Sequence, residues 1–212
     1  MAARGWLITF EGGEGTGKST QLGLLERHLA DRGFTTLTTR EPGGTPLAEA
    51  IRGLLLDPRH DPDGLTEVFL LEAARHDLSD RILRPALARG TVVLCDRFSD
   101  SSLVYQGVVR GLGLETVVEL NRLATGGLEP DLTLVFDLDP DASLARVEGR
   151  NAGSHPVESR FDAEPAAFHR ALRQAYLELA KRQPERIRVI DARGPTEEVA
   201  RRVLAALPGE LQ

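Results

Sequence analysis

The chain has 212 residues, 41% of them hydrophobic, with a formal net charge of −6 and a single cysteine. That length supports one full core, and the negative balance argues against a general nucleic-acid or membrane-binding surface. A lone thiol excludes an intrachain disulfide or a thiolate metal cluster. No leader pattern opens the chain and no apolar run reaches spanning length, so a soluble, cytoplasmic protein is expected.

"WLITF" (6–10) reads as a strand, and a helix pattern covers 18–32. Between them "GGEGTGKS" (12–19) matches G-x-x-x-x-G-K-[ST], a phosphate-binding loop in its required strand–loop–helix context. Gly12, Gly13, Gly15 and Gly17 let backbone N–H groups turn inward, and the following helix adds the positive end of its dipole. Lys18 is placed to bridge the β- and γ-phosphates of a nucleotide, and the Ser19 hydroxyl to ligate Mg²⁺. Glu14, Thr16 and Thr20 complete the loop. Because much of this cradle is main chain, Glu14 is free to point to solvent. Lys18 and Lys181 are the only lysines, so a lysine inside this loop is not incidental.

Further strands are expected at 35–39, 91–95, 132–136 and 186–190, and further helices at 46–56, 66–89, 114–125, 140–150, 164–181 and 196–207. The runs 91–95 and 132–136 are apolar on both faces, as in a parallel sheet covered on both sides. Strand–helix alternation predicts a three-layer α/β fold. "RNAGSHPVESR" (150–160) is polar with Gly and Pro, and reads either as a lid or as a surface loop. In a doubly wound sheet the ends of the strands open onto one crevice. "TREPGGTP" (39–46) and "CDRFSDSSLVYQG" (95–107) therefore bring Arg40, Asp96 and Arg97 toward the phosphate loop. The loop by itself gives a nucleotide but not a reaction, since GTPases, ATPases, motors and small-molecule kinases share it.

"FEGGEGTGKSTQ", "TREPGGT", "DRFSDSSLVYQG" and "LEPDLTLVFDLDP" resemble segments of bacterial thymidylate kinases in the same order, from about Trp6 to Val203. The resemblance implies a P-loop NTPase fold with a central five-stranded parallel sheet flanked by helices. It implies a single domain over residues 1–212, with a small lid at 146–162. The implied activity is transfer of the γ-phosphoryl group of Mg·ATP to dTMP, by a homodimer with no nucleic-acid or membrane partner.

It also implies roles for residues. Arg97 holds the acceptor phosphate and Arg40 lies near it. Asp96 is associated with Mg²⁺, and Glu11 lies near the acceptor's phosphate, sugar and metal. Arg75 hydrogen-bonds the thymine edge, with Ser101 or Ser102 helping to read it. Tyr105 sits where a 2′-hydroxyl would project, and Gln106 lines the base pocket. The adenine site falls around Ala192 and Arg193. With no basic residue at the variable loop positions, the charge of transfer falls to lid arginines, Arg150 and Arg160 ahead of Arg146.

The chain departs from the family at Leu71, where a Phe usually stacks on thymine; either Leu71 makes an apolar contact or Phe69 substitutes. Ser159 and Asp162 stand where two acidic residues are usual. Rival readings are a kinase for another monophosphate, a GTP-dependent switch, which needs an N-K-x-D motif that neither lysine supplies, and a nucleotide-binding regulator without turnover. The histidines show no metal-ligand spacing, and Cys95 reads as a buried, inert thiol.

Overall fold

The apolar runs assemble into a parallel sheet of five strands in the spatial order β2-β3-β1-β4-β5. They are β1 (Leu7–Glu11), β2 (Thr36–Arg40), β3 (Val92–Asp96), β4 (Leu132–Asp137) and β5 (Ile187–Asp191). The computed structural model describes residues 4–151 and 164–212. Each strand ends one residue beyond its apolar run, because the ladder continues onto the next polar residue. Phe10 and Arg40 both register with Asp96, and Asp137 registers with Asp191. Glu11, Arg40, Asp96, Asp137 and Asp191 therefore stand together at the carboxyl edge of the sheet, where ligands bind in open α/β folds.

The helices are α1 (Lys18–Asp31), α2 (Pro46–Leu56), α3 (Gly64–Leu78), α4 (Arg84–Ala88), α5 (Ser99–Ser102), α6 (Leu114–Thr125), α7 (Pro140–Asn151), α8 (Ala166–Arg182) and α9 (Thr196–Ala205). They cover both faces of the sheet. On one face Ile8, Phe10, Leu94 and Leu134 pack against Leu25 and Leu29 of α1 and Val199 and Val203 of α9. On the other, Leu7, Val93 and Cys95 meet Leu78, Leu83 and Leu87. On that side too, Val135 meets Leu172 and Tyr176 of α8. Each fully buried leucine or phenylalanine here contributes roughly 1.5–3 kcal/mol relative to exposure. Cys95 is fully buried, and burial pushes its thiol pKa well above the ordinary value.

Two helix expectations are corrected. The segment expected as one helix over 66–89 starts at Gly64, where the Asp63 side chain caps it by accepting from the Thr66 N–H at 2.7 Å. It is then interrupted by a π-helical turn at Ser79–Leu83. Pro85 lies just beyond; it has no N–H to give and its ring crowds the preceding turn, and a wider turn relieves both. The segment after β3 was not expected to be helical, yet α5 runs into a π-helical turn over Leu103–Val109. Its buried side chains mix Ser99, Asp100, Ser102 and Gln106 with Leu103, Val104 and Tyr105, so no simple apolar stripe marks it. π-turns of this kind concentrate at functional sites.

Candidate active site

The loop between β1 and α1 is shaped by its glycines. Gly12 has φ +130°, and a Cβ there would lie 2.6 Å from the Phe136 carbonyl oxygen, so only glycine fits. Gly15 and Gly17 also take positive φ. Thr16 Oγ1 donates to the Gly13 carbonyl at 3.0 Å. Lys18 is buried and folds back onto its own loop, its Nζ donating to Gly13 O at 2.7 Å and Gly12 O at 3.2 Å. Burial, and then the nearby Arg97 charge, lower its pKa. Ser19 Oγ donates to Asp96 Oδ2 at 3.0 Å, which joins the start of α1 to the end of β3. A hydroxyl and a carboxylate meeting beside a phosphate loop form an oxygen donor set suited to a hard divalent cation.

A cavity of about 420 Å³ opens over this loop, and its walls include Lys18, Asp96, Arg97, Arg40, Glu41 and Arg52. The structure thus brings Arg40 and Arg97 to the phosphate loop as the sequence suggests, and adds Arg52. Arg52, on α2, donates to the Pro42 carbonyl at 2.9 Å; burial, and then Arg40, lower its pKa. Arg40 is more exposed and pairs with Glu49 at 3.1 Å.

Arg97 follows β3 with φ +70°, an uncommon conformation for a residue with a Cβ. That turn aims its guanidinium across the loop, where Nη2 meets Glu14 Oε1 at 2.5 Å. Glu14 therefore does not point freely to solvent: the arginine supplied by the neighbouring strand draws it inward. The Tyr105 ring lies under the Arg97 guanidinium, 5.3 Å from its centroid. Glu11, fully buried, accepts from the Phe98 N–H at 2.8 Å, Ser101 Oγ at 2.6 Å and Tyr176 Oη at 2.8 Å. Burial, and then the nearby Asp100 charge, raise its pKa above the ordinary carboxyl range. The Ser101 hydroxyl is therefore engaged at Glu11 and Arg97.

Deeper in, Arg75 is 1% exposed and its N–H groups are all directed at protein acceptors. Nε donates to Glu41 at 2.8 Å, Nη1 to Glu72 at 2.5 Å and Asn121 at 2.7 Å, and Nη2 to the Phe98 carbonyl at 3.2 Å, also lying 2.8 Å from Glu41. Glu41 Oε1, Glu72 Oε2, Ser102 Oγ and Gln106 Oε1 are buried without hydrogen-bond partners among the described residues. Leu71 packs toward Ala48, Ile51 and Leu55 of α2, whereas Phe69 is 54% exposed on the outer face of α3. Ala192 is buried in the core, and its carbonyl lies 3.4 Å from the Arg146 guanidinium. Arg160, Ser159 and Asp162 lie outside the described residues, as does the side chain of Arg150. The sequence reading missed Glu41, Arg52, Glu72 and Tyr176. Glu41 sits inside the quoted stretch 39–46, next to Arg40, and Glu72 lies three residues before Arg75. Arg52 and Tyr176 are read only through the three-dimensional fold.

Glu41 gives a testable pH dependence. Burial raises its pKa to about 7 against the opposing Arg75 charge. Above about pH 4.5 the unfolded chain releases this proton while the folded one keeps it, so folding becomes less favourable as pH rises, until about pH 7. A shift of this size corresponds to about 3 kcal/mol. Glu41→Gln is expected to flatten urea-derived stability between pH 5 and pH 8. An unchanged slope would contradict this account.

A parallel sheet in this order, a glycine cradle on a helix N-terminus and a lysine at its end define a P-loop nucleotide-binding fold. A thymidylate kinase family model matches residues 10–203. The thymidylate kinase of Desulfosudis oleivorans is 52% identical over 203 residues, covering 94% of this chain and 95% of that protein. That of Pseudomonas putida is 48% identical over 206 residues, covering 97% of each. A crystal structure of thymidylate kinase from Ehrlichia chaffeensis superposes with a TM-score of 0.75 at 31% identity, covering 95% of this chain and 98% of that one. The chain belongs to the thymidylate kinase family, whose reaction moves the γ-phosphoryl group of ATP to dTMP.

Proposed function

We propose that the 420 Å³ cavity is where this transfer occurs, with ATP on the Gly12–Ser19 loop and the dTMP phosphate facing it from the arginine wall. The observation that carries this reading is the placement of Arg97, Arg40 and Arg52 opposite Lys18 around one cavity. Arginine's planar fork suits a phosphate dianion, and Lys18 is within reach of a transferring group once it leaves the loop carbonyls. Ser19 and Asp96 would hold Mg²⁺, which supplies neutralising charge to the donor phosphates. Glu11 orients the acceptor side through Ser101 and Tyr176. We assign Leu71, Arg75, Ser102, Tyr105 and Gln106 to the base and sugar side of the acceptor, Arg75 acting from behind through the Glu41, Glu72 and Asn121 side chains it holds. Arg150 and Arg160 are the residues to which we assign the charge that develops on the transferred group.

A second copy of the chain is the partner we assign to the outer face. Leu47 and Leu54 of α2, Leu65 and Phe69 of α3, and Val118 and Leu123 of α6 are about half exposed or more, and α3 contacts both other helices. No described helix is long and apolar enough to cross a membrane.

An ADP-release assay with Mg·ATP and a panel of dTMP, dUMP, dCMP and dGMP tests the reaction, and sedimentation of the same preparation tests for twice the chain mass. We expect dTMP to be turned over fastest. A folded, ATP-binding protein that releases no ADP with dTMP would end this reading.

A further inference from the structure

We infer that Tyr176 is a positioning residue for acceptor-phosphate binding, its hydroxyl holding Arg97 and Glu11 at a fixed spacing. The inference rests on the thymidylate kinase reading of the site. Tyr176 lies on α8, remote in sequence from every phosphate-loop and acceptor residue, and is 1% exposed. Its ring packs in the cluster formed by Leu103, Val104, Val135 and Leu172, and borders a small cavity behind Gly12 and Gly13. Only its hydroxyl reaches the polar site.

A phenol has one hydrogen and two lone pairs. Tyr176 Oη directs its hydrogen to Glu11 Oε2 at 2.8 Å and turns a lone pair to Arg97 Nη1 at 3.5 Å. Ser101 does the same, donating to Glu11 Oε2 at 2.6 Å and accepting from Arg97 Nη1 at 3.4 Å. The two hydroxyls lie 3.1 Å apart. The arginine and the buried carboxylate are thus connected through a pair of hydroxyls rather than by direct contact. Burial, and then Glu11, push the Tyr176 pKa well above the ordinary value, so the phenol stays a donor at working pH. The spacing matters because a guanidinium collapsed onto Glu11 would carry a second, fully buried carboxylate besides Glu14, whereas one held a hydroxyl away from Glu11 leaves the part-exposed Glu14 contact as the one an incoming phosphate displaces. Removing the Tyr176 oxygen leaves Glu11 short of one donor and removes the spacer on one side.

The test is Tyr176→Phe, which keeps the ring and its packing. Wild-type turnover of dTMP is measured first, so that failure of the kinase reading is seen independently of the variant. In folded Y176F, KM for dTMP is expected to rise about tenfold while KM for ATP stays within about twofold. Binding of thymidine, which lacks the phosphate, should be unchanged by calorimetry. Unchanged KM for dTMP, or an equal rise in both KM values, would overturn the inference. Should Y176F fail to fold, Ser101→Ala removes the companion hydroxyl. A selective rise in KM for dTMP there supports the same spacing role, and no rise overturns it.

Discussion

Replacing Arg97 with alanine lowers kcat/KM for dTMP on the order of 10³-fold and leaves the affinity for ATP near its wild-type value. The geometry gives the reason. Arg97 is carried at the carboxyl end of β3 in a left-handed backbone conformation that directs its guanidinium over the phosphate loop. It is held there by Ser101, Tyr176 and the Tyr105 ring. Arg40 and Arg52 line the same cavity, but Arg40 is tied to Glu49 and Arg52 to the Pro42 carbonyl. Neither can move into the vacated place without releasing its own partner. Lysine is not expected to rescue, because a point charge lacks the planar fork. Steady-state kinetics with each substrate varied in turn, beside ATP binding by calorimetry, checks this. A variant within tenfold of wild type would show that the acceptor phosphate is held elsewhere.

Arg75→Leu costs about 3–5 kcal/mol of stability at pH 8 and less at pH 5. Arg75 is the countercharge for two buried carboxylates, Glu41 and Glu72, each in contact within 2.8 Å. Taking it away strands both without a countercharge, and burial then favours the protonated form of Glu41. The Glu41 pKa, already raised by burial, loses the opposing charge and rises further, so the loss is smallest where the unfolded chain is also near protonation and grows as pH rises. Urea unfolding at the two pH values measures this. A loss below about 1 kcal/mol, or one independent of pH, would mean that the triad is not the stabilising unit drawn here.

Much of this architecture was legible in the sequence because two signals are local. Apolar runs of strand length fixed the order of strands and helices, and the glycine spacing fixed the phosphate loop. The carboxyl-edge residues Arg40, Asp96 and Arg97 followed from topology alone. What was not legible depends on partners distant in the chain. Glu14 looked free because Arg97, its ion-pair partner, lies 83 residues away. Of the groups that hold the Arg75 guanidinium, only Glu72 lies at helical spacing; Glu41, Asn121 and the Phe98 carbonyl come from distant parts of the chain. The helix after β3 was missed for a different reason. Periodicity detects continuous apolar faces, and this segment buries Ser99, Asp100, Ser102 and Gln106 beside its apolar residues.

The Glu14–Arg97 contact has a consequence for selectivity among anions. Arg97 does not wait bare: a tethered carboxylate already rests against it at a local concentration that no dissolved ion approaches. Orthophosphate or sulfate, arriving alone, must evict that stand-in with nothing else to hold it. A monophosphate attached to a nucleoside brings base and sugar contacts as leverage for the exchange. The pocket can therefore ignore abundant inorganic oxyanions without any residue dedicated to rejecting them.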